Sequence, residues 1–82
     1  MSESVLEEAN RIINGPRREA YGPAKESFDR IAAVWSAILG LDVSAKDVAL
    51  CMIGLKCIRH THGEGRDDLV DIAGYAGLAE LL

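Results

Sequence analysis

Apolar residues recur at helical spacing in four stretches of the chain. The longest is Ser44–Arg59, S-A-K-D-V-A-L-C-M-I-G-L-K-C-I-R. Val48, Cys51, Met52, Leu55 and Ile58 fall on one helical face, and Ala49, Ile53 and Cys57 add a second apolar stripe. Ser44 followed by Asp47 is the pattern of a capping box, so a helix is expected to start there. No charge lies between Val48 and Leu55. A helix apolar nearly all round should be buried nearly all round. It is too short to span a bilayer, which takes about 20 apolar residues. The pattern therefore predicts a central helix with the rest of the chain wrapped on it.

The other stretches are amphipathic. Val5–Ile13 carries Val5, Leu6, Ala9, Ile12 and Ile13 on one side, behind a second capping box of Ser4 and Glu7, and Gly15-Pro16 ends it. From Pro23 to Leu39, Phe28, Ile31, Ala32, Trp35, Ile38 and Leu39 make a face of period 3.6, closed by Gly40. H-T-H-G-E-G-R-D after Arg59 predicts an exposed loop. A last helix should begin near Asp67 or Asp68, with Leu69, Ile72, Ala73, Ala76 and Ala79 on one face. Gly74 and Gly77 inside it point to a close approach by another backbone. No alternating run of β-branched residues appears. The expected fold class is all-α, a single-domain bundle of about four helices over residues 1–82.

Composition narrows the function classes. The net charge of −4 argues against general nucleic-acid binding through a broad basic face. The start, M-S-E-S-V-L-E-E, has neither the basic nor the apolar region of a signal peptide, and no membrane association is expected. Cys51 and Cys57 stand six apart on one predicted helix and cannot bridge within the chain; they are expected to be reduced and buried, which fits the cytoplasm. The apolar surface of the central helix exceeds what three short neighbours can cover, which predicts a homo-oligomer.

Three clusters carry candidate chemistry. In N-G-P-R-R-E-A-Y-G-P, two Gly-Pro steps bracket Arg17, Arg18 and Tyr21 just before the second long helix. Guanidinium groups near a helix N-terminus suit a phosphate, and a tyrosine suits a base. The structural alternative is that both arginines pair with acids and fix the loop. Asp68, Asp71 and Tyr75 share a stripe of the last helix. Asp68 reads as an N-cap or first-turn acid. Asp71 lies beside the apolar face and should be partly buried and paired, with Lys56 or an arginine as partner. His60 and His62 match no zinc spacing, so no zinc is expected. No nucleophile constellation is visible; Phe28 and Trp35 sit at core spacing.

Three segments together, N-G-P-R-R-E-A-Y-G, Ser44–Arg59 and D-L-V-D-I-A-G-Y-A, resemble a family of small uncharacterised helical proteins of phages and prophages. The resemblance covers nearly the whole chain. It implies a small helical fold and life in the cytoplasm of an infected bacterium, with no established activity. Asp68-Leu-Val-Asp71 is also similar, more distantly, to the second magnesium-binding run of MazG-type nucleotide pyrophosphohydrolases. The first such run is missing: Glu7-Glu8-Ala-Asn-Arg11 has arginine where a third carboxylate would stand.

The expected function is that of a phage accessory protein holding a small anionic molecule, a nucleotide or nucleotide-derived signal, without catalysis or cofactor. Arg17, Arg18 and Tyr21 would contact it, supported by Asp71, Tyr75 and Lys56. One alternative is a magnesium-dependent pyrophosphohydrolase using Asp68 and Asp71. Another is an interaction protein that inactivates a host factor.

Overall fold

A computed structural model of the chain describes residues 3–14 and 24–82. Among them the chain forms four helices and no strand: α1 (Val5–Asn14), α2 (Ala24–Leu39), α3 (Ala45–Gly63) and α4 (Arg66–Leu81). The all-α expectation holds.

Both sequence-read capping boxes form. Ser4 Oγ accepts from the Glu7 amide at 3.1 Å while Glu7 Oε1 accepts from the Ser4 amide at 3.1 Å. Ser44 and Asp47 exchange the same pair of bonds at 3.0 and 2.9 Å. Gly40 ends α2 with φ +67°, a left-handed conformation that glycine adopts without strain, and its amide donates to the Ser36 carbonyl at 2.9 Å. Ser36 Oγ then accepts from the Val43 amide at 2.9 Å, which fastens the connection to α3.

The helices pack in the spatial order α2–α3–α4–α1. The core is small. Phe28 and Ala32 from α2, Val48 and Ala49 from α3, and Ala79 from α4 form its centre, with Trp35, Met52, Tyr75 and Leu78 half-buried against it. The radius of gyration is 13.5 Å, against about 12 Å for a compact chain of this length. The principal extents are 47, 32 and 18 Å, so the molecule is flattened along one direction. The chain is therefore a thin array of helices.

That thinness corrects the central-helix expectation. Val48 and Ala49 of α3 are buried, and Met52, Ile53 and Lys56 are half-buried. Leu50, Leu55 and Ile58 are exposed at 53, 48 and 61%. Cys51 and Cys57, expected inside, are both exposed free thiols. The helix is apolar on two sides, but α2 and α4 together cover one. Ile31, Ile38 and Leu39 of α2, and Leu69 and Ala76 of α4, are likewise exposed although their spacing suggested core.

The predicted loop after Arg59 is also corrected. α3 continues through His60 and His62 to Gly63. The turn is only Glu64-Gly65, with Glu64 left-handed at φ 50° and its amide donating to the His60 carbonyl at 2.7 Å. Gly65 is the N-cap of α4, so Asp67 and Asp68 sit within the first helical turn and neither caps it. Their charge there suits the helix dipole.

Acid should weaken the α3 cap. Hydrogen bonds from the Ser44 backbone and side chain hold the Asp47 carboxyl below its usual range. A depressed folded value means that this stabilisation is complete above the unfolded pKa of about 3.9 and is lost as pH falls through the lower folded value. Asp47→Asn should therefore lower the melting temperature at neutral pH, and the gap to wild type should close in strong acid. A gap constant across a pH titration of thermal melts would contradict this origin.

Candidate functional site

The cleft between α1 and α4 gathers two of the sequence-predicted residues. It has a volume of about 200 Å³, and Ala9, Ile12 and Ile13 of α1 form one wall. Val70, Asp71, Gly74, Tyr75 and Leu78 of α4 form the other. The amphipathic face of α1 supplies the first wall, since Ala9, Ile12 and Ile13 recur at i, i+3 and i+4. Glycine at 74 opens the second. A Cβ there would lie 3.8 Å from Ile13 Cγ2. At Gly77 the approach is much tighter, with a Cβ only 2.5 Å from Ile13 Cδ1. The expected close neighbour of these glycines is thus present, but it is a side chain and not a backbone.

Asp71 stands at this cleft with its charge balanced. Lys56 reaches across from α3, and its Nζ lies 3.0 Å from Asp71 Oδ2. The lysine side chain is 15% exposed and the aspartate 42%. The ammonium is the more deeply placed partner, so losing the carboxylate matters more than losing the lysine. Asp71→Ala is expected to cost about 1–2 kcal/mol by leaving a half-buried ammonium unpaired, moderated because the lysine stem can swing its head to water. Lys56→Met should stay within about 1 kcal/mol of wild type. Denaturant melts of both variants and their double mutant test this; equal losses for the two single variants would reject the asymmetry.

Tyr75 lies one turn beyond Asp71 and packs edge-on against Phe28 of α2, with ring centroids 6.2 Å apart and planes at 88°. It is half-buried and serves both core and cleft. Asp68 separates from this pair. It turns to Arg59 of α3, Oδ1 to Nε 3.9 Å, and does not line the cleft. Arg17, Arg18 and Tyr21 lie outside the described residues; in sequence they follow Asn14, the last residue of α1, by three to seven positions.

Sequence reasoning missed the clamp that holds α1 on α4. Arg66, the first residue of α4, pairs through Nη1 with Glu8 and donates through Nη2 to the Glu3 carbonyl at 2.7 Å. Arg11 donates twice to the Glu3 carboxylate, at 2.9 and 3.0 Å. These bonds hold the Glu3 carboxyl below its usual range. The partners lie 58 and 63 positions apart in sequence, so no local pattern announces them.

Asp68 and Asp71 each face a cation, and among the described residues no three His, Cys, Asp or Glu side chains gather. His60 Nδ1 lies 3.2 Å from the Gly65 carbonyl, placed to donate to it across the α3–α4 turn. No helix among the described residues is long and apolar enough to cross a membrane.

Two curated relatives match the chain. The "Gene 55 protein" of Mycobacterium phage L5 is 48% identical over 79 residues, covering 94% of this chain and 51% of the relative. The "Gene 55 protein" of Mycobacterium phage D29 is 48% identical over 82 residues, covering 98% and 54%. The chain thus spans about half the length of the curated relatives it matches. No solved structure matches. These names agree with the resemblance to phage proteins, and neither carries an activity or a link to MazG-type enzymes. Residues 4–82 match the family described as Domain of unknown function (DUF6378), and the chain belongs to that family.

Proposed function

We propose that this protein is a phage accessory protein that holds a nucleotide or nucleotide-derived signal without chemistry. The observation that carries the reading is the α1–α4 cleft, apolar on both walls, with one carboxylate and one tyrosine at it. An apolar slot with few polar groups is the usual form of a small-ligand site. Asp71 gives a base something to recognise: a carboxylate accepts hydrogen bonds from the N–H edge of guanine or the amino group of another base. Lys56 neutralises that carboxylate, which removes the repulsion an anionic ligand would otherwise meet. In this reading Lys56 positions Asp71 and does not itself bind phosphate. Phosphates belong to Arg17 and Arg18, which follow α1 in the chain and whose planar forks suit phosphate oxygens. Tyr21 offers a further stacking face.

A thermal-shift panel of nucleotides and cyclic nucleotides tests it. At tenfold excess over Kd a bound ligand stabilises by about 1.4 kcal/mol, roughly a 6–11 °C rise for a domain of this size. Arg17→Ala or Arg18→Ala should abolish the rise while leaving the unliganded melt nearly unchanged. Asp71→Asn, which keeps the side-chain shape, should change which bases are accepted. A panel with no shift at millimolar concentration overturns the reading and leaves a host protein as the partner to seek. Unfolding by either arginine substitution would assign those residues to the fold.

A further inference from the structure

α3 carries a second seam that the other described helices do not cover. Asp47, Cys51, Gly54, Ile58 and Thr61 alternate at spacings of four and three, the spacing of a coiled-coil contact line. All five are exposed, and Leu50 and Leu55, exposed at 53 and 48%, flank them. The inward residues Val48, Ala49, Met52 and Ile53 lie on the other side of the helix. Gly54 stands at the middle of the outward seam, and a Cβ built on it would meet nothing within 4 Å. Glycine in mid-helix costs about 1 kcal/mol relative to alanine. Among the described residues nothing uses the missing side chain. A neighbouring helix pressed against the seam would.

We infer that the occupant is a second copy of this chain, its α3 lying antiparallel across a two-fold axis beside Gly54. The seam is self-complementary in that arrangement. Leu50 and Ile58 stand four residues either side of Gly54, about 6 Å along the helix, so Leu50 of each copy meets Ile58 of the other. Asp47 lies seven residues before Gly54 and His62 eight after, which brings a carboxylate beside an imidazole at both ends. Antiparallel helices also oppose their dipoles favourably. A two-fold contact of this kind is isologous and closes at two copies. The glycines bring the two backbones close, and the bare outer side of a thin helical array becomes an interior.

Light scattering on the 82-residue chain at micromolar concentration should give twice the 8.8 kDa protomer mass. Leu50→Lys with Ile58→Lys should halve that mass and leave the helical circular dichroism in place, because both positions are exposed in the single chain. Gly54→Cys in a Cys51→Ser, Cys57→Ser background should cross-link to a covalent dimer under mild oxidation. The same cysteine placed at Ala33, exposed on α2, should not. A monomeric wild type, or a dimer that survives the paired lysines, overturns the proposal.

Discussion

Replacing Phe28 by alanine is expected to lower the melting temperature by at least about 12 °C. Deleting a buried phenylalanine side chain costs about 3–5 kcal/mol, and each kcal/mol shifts a domain of this size by roughly 4–8 °C. Phe28 is 8% exposed and is the one aromatic residue among the buried residues described. The remaining buried set consists of Ala9, Ala32, Val48, Ala49, Val70 and Ala79. No other buried side chain among the described residues brings comparable apolar area, and the alanines cannot move to fill the void. The ring also meets Tyr75 edge-on, a contact contributing about 0.5–1.5 kcal/mol beyond area. Domains of this length have a total stability of about 4–12 kcal/mol. Phe28→Ala should therefore remove about a quarter or more of the total stability, while Phe28→Leu, which keeps most of the volume, should lose about 1 kcal/mol. A melting temperature within a few degrees of wild type for the alanine variant would mean that the helices are held by something other than this cluster.

Much of the architecture was legible because its signals are local. Both capping boxes, the Gly40 stop and the helical class come from residues within four positions of each other, where backbone geometry decides. The end of α3 was not legible for a related reason. Gly63 and Gly65 advertise a break, yet the left-handed residue is Glu64, and the two glycines flank it. Burial was misread on α3 because apolar spacing reports what a face can cover, and the number of neighbours available to cover it is a property of the whole chain. Cys51 and Cys57 follow from that single error. The thiols belong to a surface, where oxidation between chains becomes open to them.

The placement of the candidate residues was legible in part. Asp71 was singled out from its position beside an apolar stripe, and its partner Lys56 was among those named; the geometry places them 3.0 Å apart. Tyr75 followed from helical spacing. Asp68 was grouped with them by the same spacing, but α3 offers it Arg59 instead. The α1 wall was out of reach of pattern reading, since α1 and α4 are joined by Arg66 across most of the chain. The two interior glycines were the available signal. They indicated a close neighbour on α4 without saying which one.

That neighbour makes Gly77 the position where α1 can be removed from the fold. Gly77→Leu is expected to release α1 while α2, α3 and α4 remain folded. A Cβ at 77 would sit 2.5 Å from Ile13 Cδ1, and a leucine extends well past that point into the space Ile13 occupies. Substituting leucine for glycine raises intrinsic helix propensity by about 0.8 kcal/mol, so α4 itself should not suffer. The strain falls on the α1 contact. α1 has only ten residues, fewer than the ~12–15 an isolated helix needs in water, so once displaced it should unfold. Among the helix pairs that pack substantially, α1 meets only α4. The expected result is loss of amide protection confined to residues 5–14, with protection in α3 and α4 retained. Any nucleotide-induced rise in melting temperature should vanish with it, because one wall of the cleft is gone. Gly74→Ala is the control: its Cβ would make an ordinary 3.8 Å contact with Ile13, and the variant should gain up to about 1 kcal/mol. Ile13→Ala added to Gly77→Leu makes room for the leucine and should restore protection across α1. If Gly77→Leu leaves residues 5–14 as protected as in wild type, Ile13 has moved aside at little cost and the clamp through Arg66 is what fixes α1.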